Sequence, residues 1–289
     1  IFILLPRAQV SANRICEVLN TESNIQDGQG AKVKDGCKGT VEFCNVSFRY
    51  PEAAADTLTD ITFSAKQGET VAFIGVTGSG KSTLINLIPR FYDATKGQIF
   101  VDGVDVKEYE QKELRNKIGY ISQKAVMFSG TVSSNVAYGE NGGEPIGKQE
   151  IQEAIHIAQG TDFVEKMNGA YDARIAQGGT NLSGGQKQRL SIARAIARNP
   201  EILIFDDSFS ALDYKTDRAL REALAERTKQ VTKLIVAQRI STIRHADRII
   251  VLEHGKIVGQ GTHEELLENC EIYQEIASSQ LSKEEMNNG

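Results

Sequence analysis

The chain has 289 residues, 40% hydrophobic and 25% charged, with a formal net charge of −5. That is room for one large domain or two small ones, and the mildly acidic balance carries no basic footprint for nucleic acid. Cys16, Cys37, Cys44 and Cys270 form no CxxC pair, and His156, His245, His254 and His263 show no ligand spacing, which argues against a disulfide framework and a structural zinc site and fits a reducing compartment.

In chain order, residues 1–5 are apolar but stop at Pro6, well short of the ~18–20 residues of a membrane span. They read either as a frayed chain end or as the tail of a membrane helix cut off at residue 1. Val10, Ile15, Val18 and Leu19 lie near helical spacing and predict a helix over 6–20. The polar, glycine-rich stretch 21–39 reads as a linker. Alternation over 40–51 predicts a strand ending at Pro51, and 58–69 its hairpin partner. Residues 70–75 read as a short buried strand, 81–92 as a helix, and 97–106 and 118–123 as strands.

From about 131 to 199 the pattern turns mostly helical, at 131–139, 148–159 and 183–199. Strands return at 201–207, 234–238 and 247–255, with helices at 215–228 and 263–279 and a polar tail over 281–289. Strands alternating with helices predict a mainly parallel sheet covered on both faces, interrupted by a helical insertion.

The stretch GVTGSGKST, Gly75 to Thr83, follows an apolar strand and opens a helix. It is a GxxxxGK(S/T) phosphate loop in the strand–loop–helix setting that the motif requires. Backbone N–H groups through Thr77, Gly78, Ser79, Gly80 and Thr83 can wrap a polyphosphate. Lys81 reaches its outer phosphates and Ser82 ligates Mg²⁺. Asp206, at the end of the apolar run 202–206, is the expected metal-side acid of a P-loop ATPase; the lesser alternative is an N-cap acid for the following turn.

LSGGQ, Leu182 to Gln186, sets Ser183, Gly184, Gly185 and Gln186 before a long helix as a second anion site. With the phosphate loop upstream and the acids downstream, the chain resembles the nucleotide-binding domain of ATP-binding cassette (ABC) transporters over roughly residues 39–280. The resemblance implies an α/β fold: a P-loop NTPase (RecA-like) core with an antiparallel β-subdomain and an inserted α-helical signature subdomain at about 126–195. It also implies ATP and Mg²⁺ as cofactors. It makes Tyr50 the aromatic that stacks on adenine and Gln123 the glutamine joining the metal site to a membrane domain. Ser210 to Asp213 becomes the loop that crosses a dimer interface. Residues 6–20 and the stretch FSGTVSSNV resemble the exporter branch. That implies a membrane domain fused upstream of residue 1 and a place on the cytoplasmic face of a membrane. The fragment itself is not expected to insert into the bilayer or to bind nucleic acid.

Two positions depart from the family pattern. Asp207 stands where glutamate is usual and Gln238 where histidine is usual. Aspartate ends about 1.5 Å short of glutamate on a fixed backbone, and a misplacement near 1 Å can cost on the order of 10²-fold in rate. Glutamine donates a hydrogen bond but carries no positive charge. Ala176 and Gln177 also replace the usual Gly and Glu. The paired change resembles the degenerate half of a heterodimeric exporter. Its intact LSGGQ would complete the active site of a different nucleotide-binding subunit. Two other readings stand beside it: a fully active homodimeric exporter ATPase, and a non-catalytic ATP-gated module. A DNA-repair ATPase of the same class would need long heptads or a basic groove, and neither is present.

Overall fold

The structure is a computed structural model, and it describes residues 4–21, 23–30, 33, 36–139, 142–143 and 145–280. The first three residues of the apolar opening and the expected polar tail 281–289 lie outside the described residues. Helix α1 (Leu4–Leu19) is followed by strands β1 (Val41–Phe48), β2 (Leu58–Ala65) and β3 (Thr70–Ile74) and helix α2 (Lys81–Leu87). Then come β4 (Lys96–Val101), β5 (Val104–Asp105), α3 (Gln111–Asn116), β6 (Ile118–Ile121) and β7 (Gly130–Thr131). A helical stretch holds α4 (Val132–Val136), α5 (Lys148–Ile157), α6 (Thr161–Val164), the short β8 (Arg174–Ile175) and α7 (Gly184–Ala197). The chain closes with β9 (Ile202–Asp206), α8 (Tyr214–Arg227), β10 (Thr232–Val236), α9 (Ile240–Ile243), β11 (Arg248–Glu253), β12 (Lys256–Gly261), α10 (His263–Asn269) and α11 (Glu271–Gln280).

Six strands form one sheet in the order β12-β11-β3-β10-β9-β6, parallel except for the β11–β12 pair. Its inner strands β3, β9 and β10 are buried along nearly their whole length, which is why they read as continuous apolar runs rather than alternations. A second, antiparallel sheet runs β2-β1-β4-β5. One core cluster joins this sheet to α2 and the parallel sheet through Phe43, Leu84, Phe73 and Leu234. The other packs the helices α5, α7 and α8 on the opposite face through Ile155, Ile192, Leu203 and Leu220. Neighbours β6 and β9 bracket the helical stretch, which leaves the sheet after β6 and returns at β9.

Parallel register sets the site. Val236 stands beside both Phe73 and Asp206, so β3, β10 and β9 end at one level. Ligands of open α/β sheets bind at that carboxyl edge.

Several elements differ from the sequence expectation. The helix expected over 81–92 ends at Leu87, with Ile88 still helical (φ −65°, ψ −50°); Pro89 has no N–H to carry the ladder on, and Arg90 turns left-handed (φ 54°). The strand expected over 97–106 is a hairpin: Asp102 (φ 53°) and Gly103 (φ 72°) make a two-residue turn that pairs Val101 with Val104. The helix expected over 263–279 breaks at Cys270, which is extended (φ −126°, ψ 102°). Within the stretch read as mostly helical, β7 and β8 pair antiparallel. Strand β12 and helix α3 were not foreseen at all.

Candidate functional site

The phosphate loop links β3 to α2. Gly80 starts α2 in a left-handed conformation (φ 98°), and a Cβ there would lie 2.7 Å from Leu58 Cδ2. The left-handed backbone demands glycine, and a side chain there would also push Leu58 aside. No side chain caps α2, so the loop's backbone groups rather than a side chain organise its start. Lys81 folds back on its own loop: Nζ donates to the carbonyls of Gly75 (2.8 Å) and Val76 (2.9 Å) and to Ser79 Oγ (3.3 Å). Burial pushes the Lys81 ammonium below its ordinary pKa, while Asp207 and Asp206 pull it back up. Thr77 and Gly78 are exposed at the mouth of the loop, Ser79 is buried, and nothing lies within 4 Å of a Cβ built at Gly78.

The acid corner lies beside it. Ser82 Oγ donates to Asp206 Oδ1 at 2.8 Å. The Tyr120 hydroxyl lies 2.8 Å from Asn86 Oδ1 and 3.2 Å from Asp206 Oδ2. Asp207 takes an uncommon conformation for a non-glycine residue, φ 47°, and its N–H donates to the Val236 carbonyl at 3.0 Å. Its Oδ2 accepts from Gln238 Nε2 at 2.8 Å and from Gln123 Nε2 at 3.1 Å. Only 8% of Asp207 is exposed, and burial pushes its carboxyl above the usual range against the hydrogen bond from Gln123. Sequence positions 123, 207 and 238 are thus joined in one hydrogen-bonded cluster.

Tyr50 and Thr83 are linked through their hydroxyls at 3.1 Å, so the expected adenine-side aromatic is tied to α2. The Tyr50 ring meets Phe48 (4.8 Å) and Tyr92 (5.2 Å) edge to face. At the start of α7, Gln186 N–H donates to Ser183 Oγ (3.2 Å) and Ser183 N–H to Gln186 Oε1 (2.9 Å), a reciprocal capping box. Gly184 is exposed and Gly185 half-buried. Among the described residues no hydrogen bond joins this signature to the phosphate loop or to the acids. Buried Gln188, further along α7, donates to the Ser122 carbonyl next to Gln123 (3.4 Å).

Sequence reading missed Tyr120, Asn86 and Gln188. Tyr120 sits in an ordinary strand pattern, and only the pairing of β6 with β9 carries it to Asp206. The oxygen pair of Ser82 and Asp206 fits a magnesium ion, which takes hard oxygen ligands. The open loop mouth and the Lys81 ammonium fit the phosphates of ATP.

Comparison with known proteins agrees with this geometry. Residues 58–210 match the family model described as ABC transporter. An uncharacterized ABC transporter ATP-binding protein of Mycobacterium tuberculosis (strain ATCC 25618 / H37Rv) is 46% identical over 278 residues, 96% of this chain and 47% of that protein. A putative multidrug export ATP-binding/permease protein of Staphylococcus aureus (strain NCTC 8325 / PS 47) is 44% identical over 266 residues, 92% of this chain and 46% of that protein. The solved structure of a bacterial Atm1-family ABC exporter with ATP bound superposes with a TM-score of 0.89 at 32% identity, covering 96% of this chain and 48% of that one. The chain spans about half the length of the curated relatives it matches. It belongs to the ABC transporter family, with that family's P-loop NTPase core, and is an ATP-binding domain, an ATPase, similar to those of export proteins.

Proposed function

We propose that this domain binds Mg-ATP on its own phosphate loop, meets a second nucleotide-binding domain head to tail, and drives export while its own catalytic corner turns over slowly. The observation that carries the reading is the state of Asp207. One of its carboxylate oxygens already accepts two amide donors, Gln238 at 2.8 Å and Gln123 at 3.1 Å. A general base must reach its water within about 2.6–3.2 Å, and this short side chain is drawn toward the glutamines instead. Gln238 offers a neutral N–H where a histidine offers a cation.

In this reading Lys81 exchanges loop carbonyls for phosphate oxygens, and Ser82 and Asp206 hold the metal with Gln123 beside it. Tyr50 presents its ring to adenine. Mg²⁺ supplies the charge that offsets the transferring phosphoryl group. Ser183, Gly184, Gly185 and Gln186 face the nucleotide of the partner, a different subunit that brings the missing Glu and His. Likeness to export ATP-binding/permease proteins supports a membrane domain upstream. Residues 1–38 are then its end and linker, and 39–280 the nucleotide-binding domain on the cytoplasmic face, with helices at about 126–195.

Asp207→Glu combined with Gln238→His tests this. The two side chains act on one transition state, so their effects are non-additive. In an assembled dimer the pair is expected to raise steady-state phosphate release well beyond the two single changes, each of which helps little. A double variant no faster than its parent overturns the reading.

A further inference from the structure

We propose that Gln280, at the end of α11, is a positioning residue that sets the backbone of the switch segment carrying Gln238; the proposal rests on the switch role given to Gln238 above. Gln280 Oε1 accepts the Ile240 N–H at 3.0 Å, and Gln280 Nε2 donates to the Gln238 carbonyl at 2.8 Å. Only one orientation of the amide serves both partners, since its oxygen must face an N–H and its nitrogen a carbonyl.

The backbone is shaped for this clasp. Arg239 is extended (φ −114°, ψ 129°), which turns the flanking Gln238 carbonyl and Ile240 N–H to the same side, as in a strand. Ile240 opens α9, and no side chain of the cap residue Arg239 serves that end. Its N–H is one of the orphan donors of a helix start, and Gln280 satisfies it from 40 residues away.

Helix α11 holds Gln280 in place from below. Tyr273 and Ala277 are fully buried, and Ile276 packs on the same core. Positions 273, 276, 277 and 280 share one helical face, so the stripe that buries α11 runs out to the exposed Gln280, whose amide lies over the switch segment. The Tyr273 hydroxyl is fixed in turn by His263 Nδ1 at 2.7 Å. A chain of direct contacts then runs from α11 through Gln280 to the main chain at 238, and from the Gln238 side chain to Asp207 Oδ2. The C-terminal helix thereby fixes how far the Gln238 amide reaches.

Amide hydrogen exchange by NMR on the 289-residue chain reads the clasp directly. Gln280→Met keeps length and helix propensity and removes both hydrogen bonds. It is expected to speed exchange at Ile240 about fivefold and to leave Ala277 unchanged. In steady-state hydrolysis by this chain alone, with no second subunit present, the turnover read is that of its own slow corner. The same variant is expected to lower that kcat roughly tenfold, less than the ~10²-fold of a full 1 Å misplacement. KM for ATP should stay put, because Gln280 touches no residue of the phosphate loop. Gln280→Glu keeps an acceptor for Ile240 and restores its protection, while kcat stays low for want of a donor to the Gln238 carbonyl.

Unchanged exchange at Ile240 in Gln280→Met overturns the clasp. Faster exchange with normal kcat overturns the positioning role, provided Gln238→Ala lowers kcat. If Gln238→Ala also leaves kcat unchanged, the switch role of Gln238 is what fails, and the positioning role falls with it.

Discussion

At the start of α2, Gly80 is left-handed and no side chain caps the helix, whereas at the start of α7 Ser183 and Gln186 cap each other. Both are glycine-rich entries to a helix, and both suit an anion. The first comes with everything a polyphosphate needs in the same chain: a buried cation in Lys81 and an oxygen pair in Ser82 and Asp206. Its lysine is parked on loop carbonyls, contacts that a phosphate can replace. The second is satisfied from within and exposed. Its serine hydroxyl accepts from Gln186 N–H yet still has its own proton to give. In the proposed function one end is a binding site, and the other is a donor surface for a ligand held by another molecule.

The sharpest way to break that comparison is Ser183→Ala. If Ser183 faces charge developing on a partner's nucleotide, its loss is expected to cost about 10²–10³ in hydrolysis by the assembled dimer. ATP binding at Lys81, read by calorimetry, should not change. The variant also loses a helix cap worth about 1 kcal/mol, so Ser183→Asp serves as a control. It restores the cap and the melting temperature but sets a negative charge against phosphate, and hydrolysis should stay low. Full recovery of hydrolysis by Ser183→Asp would make Ser183 a cap and nothing more.

The same contrast explains what the sequence makes legible. The phosphate loop announces itself because its chemistry is local: the glycines, Lys81 and Ser82 are consecutive, and their spacing is the function. Asp207 and Gln238 stand out as departures from a family pattern, but nothing in the string says that one binds the other. That follows from parallel pairing of β9 with β10, which brings the residues after each strand together. The Asp-Gly turn at 102–103 was a readable hairpin signal hidden by apolar residues on both sides. Strand β12 was not readable, because half its residues face solvent and two are glycine. The break at Cys270 has only a weak sequence marker. Asn269 just before it is a weak stop signal inside an otherwise helix-forming run, and Cys270 itself is buried in the core.

A smaller effect tests the other end of the phosphate site. Tyr50 is held by Thr83 and by edge contacts with Phe48 and Tyr92, so its ring is placed whether or not adenine is present. Aromatic stacking is worth on the order of 1 kcal/mol. Tyr50→Ala is expected to weaken ATP and ADP several-fold alike and inorganic triphosphate little. Tyr50→Phe should keep most of the affinity, since only the Thr83 link is lost. Equal losses for all three ligands by calorimetry would mean that Tyr50 shapes the loop through packing rather than meeting the base.

The smallest expected effect concerns the two neighbouring acids. Asp206 accepts from Ser82 and lies beside the Tyr120 hydroxyl, at the half-buried end of its strand. Asp207 is buried with only amide donors on it, and burial raises its pKa above the ordinary 3.8. A raised native pKa means that the folded chain holds this proton more tightly than the unfolded one. Stability from that source is complete below the unfolded value and is lost as pH rises through the native value, so at neutral pH the ionised side chain works against the fold. Asp207→Asn removes the charge and keeps an oxygen that can accept from Gln123 and Gln238. It is expected to melt at a higher temperature than the parent at neutral pH, with the gain fading as pH falls toward 3.8. Total hydrolysis by an assembled heterodimer should change little if, as proposed, this corner contributes little turnover. A lower melting temperature at neutral pH would show that the ionised carboxylate holds the two glutamines together at a net gain to the fold. A collapse of hydrolysis would make Asp207 the working base of this chain.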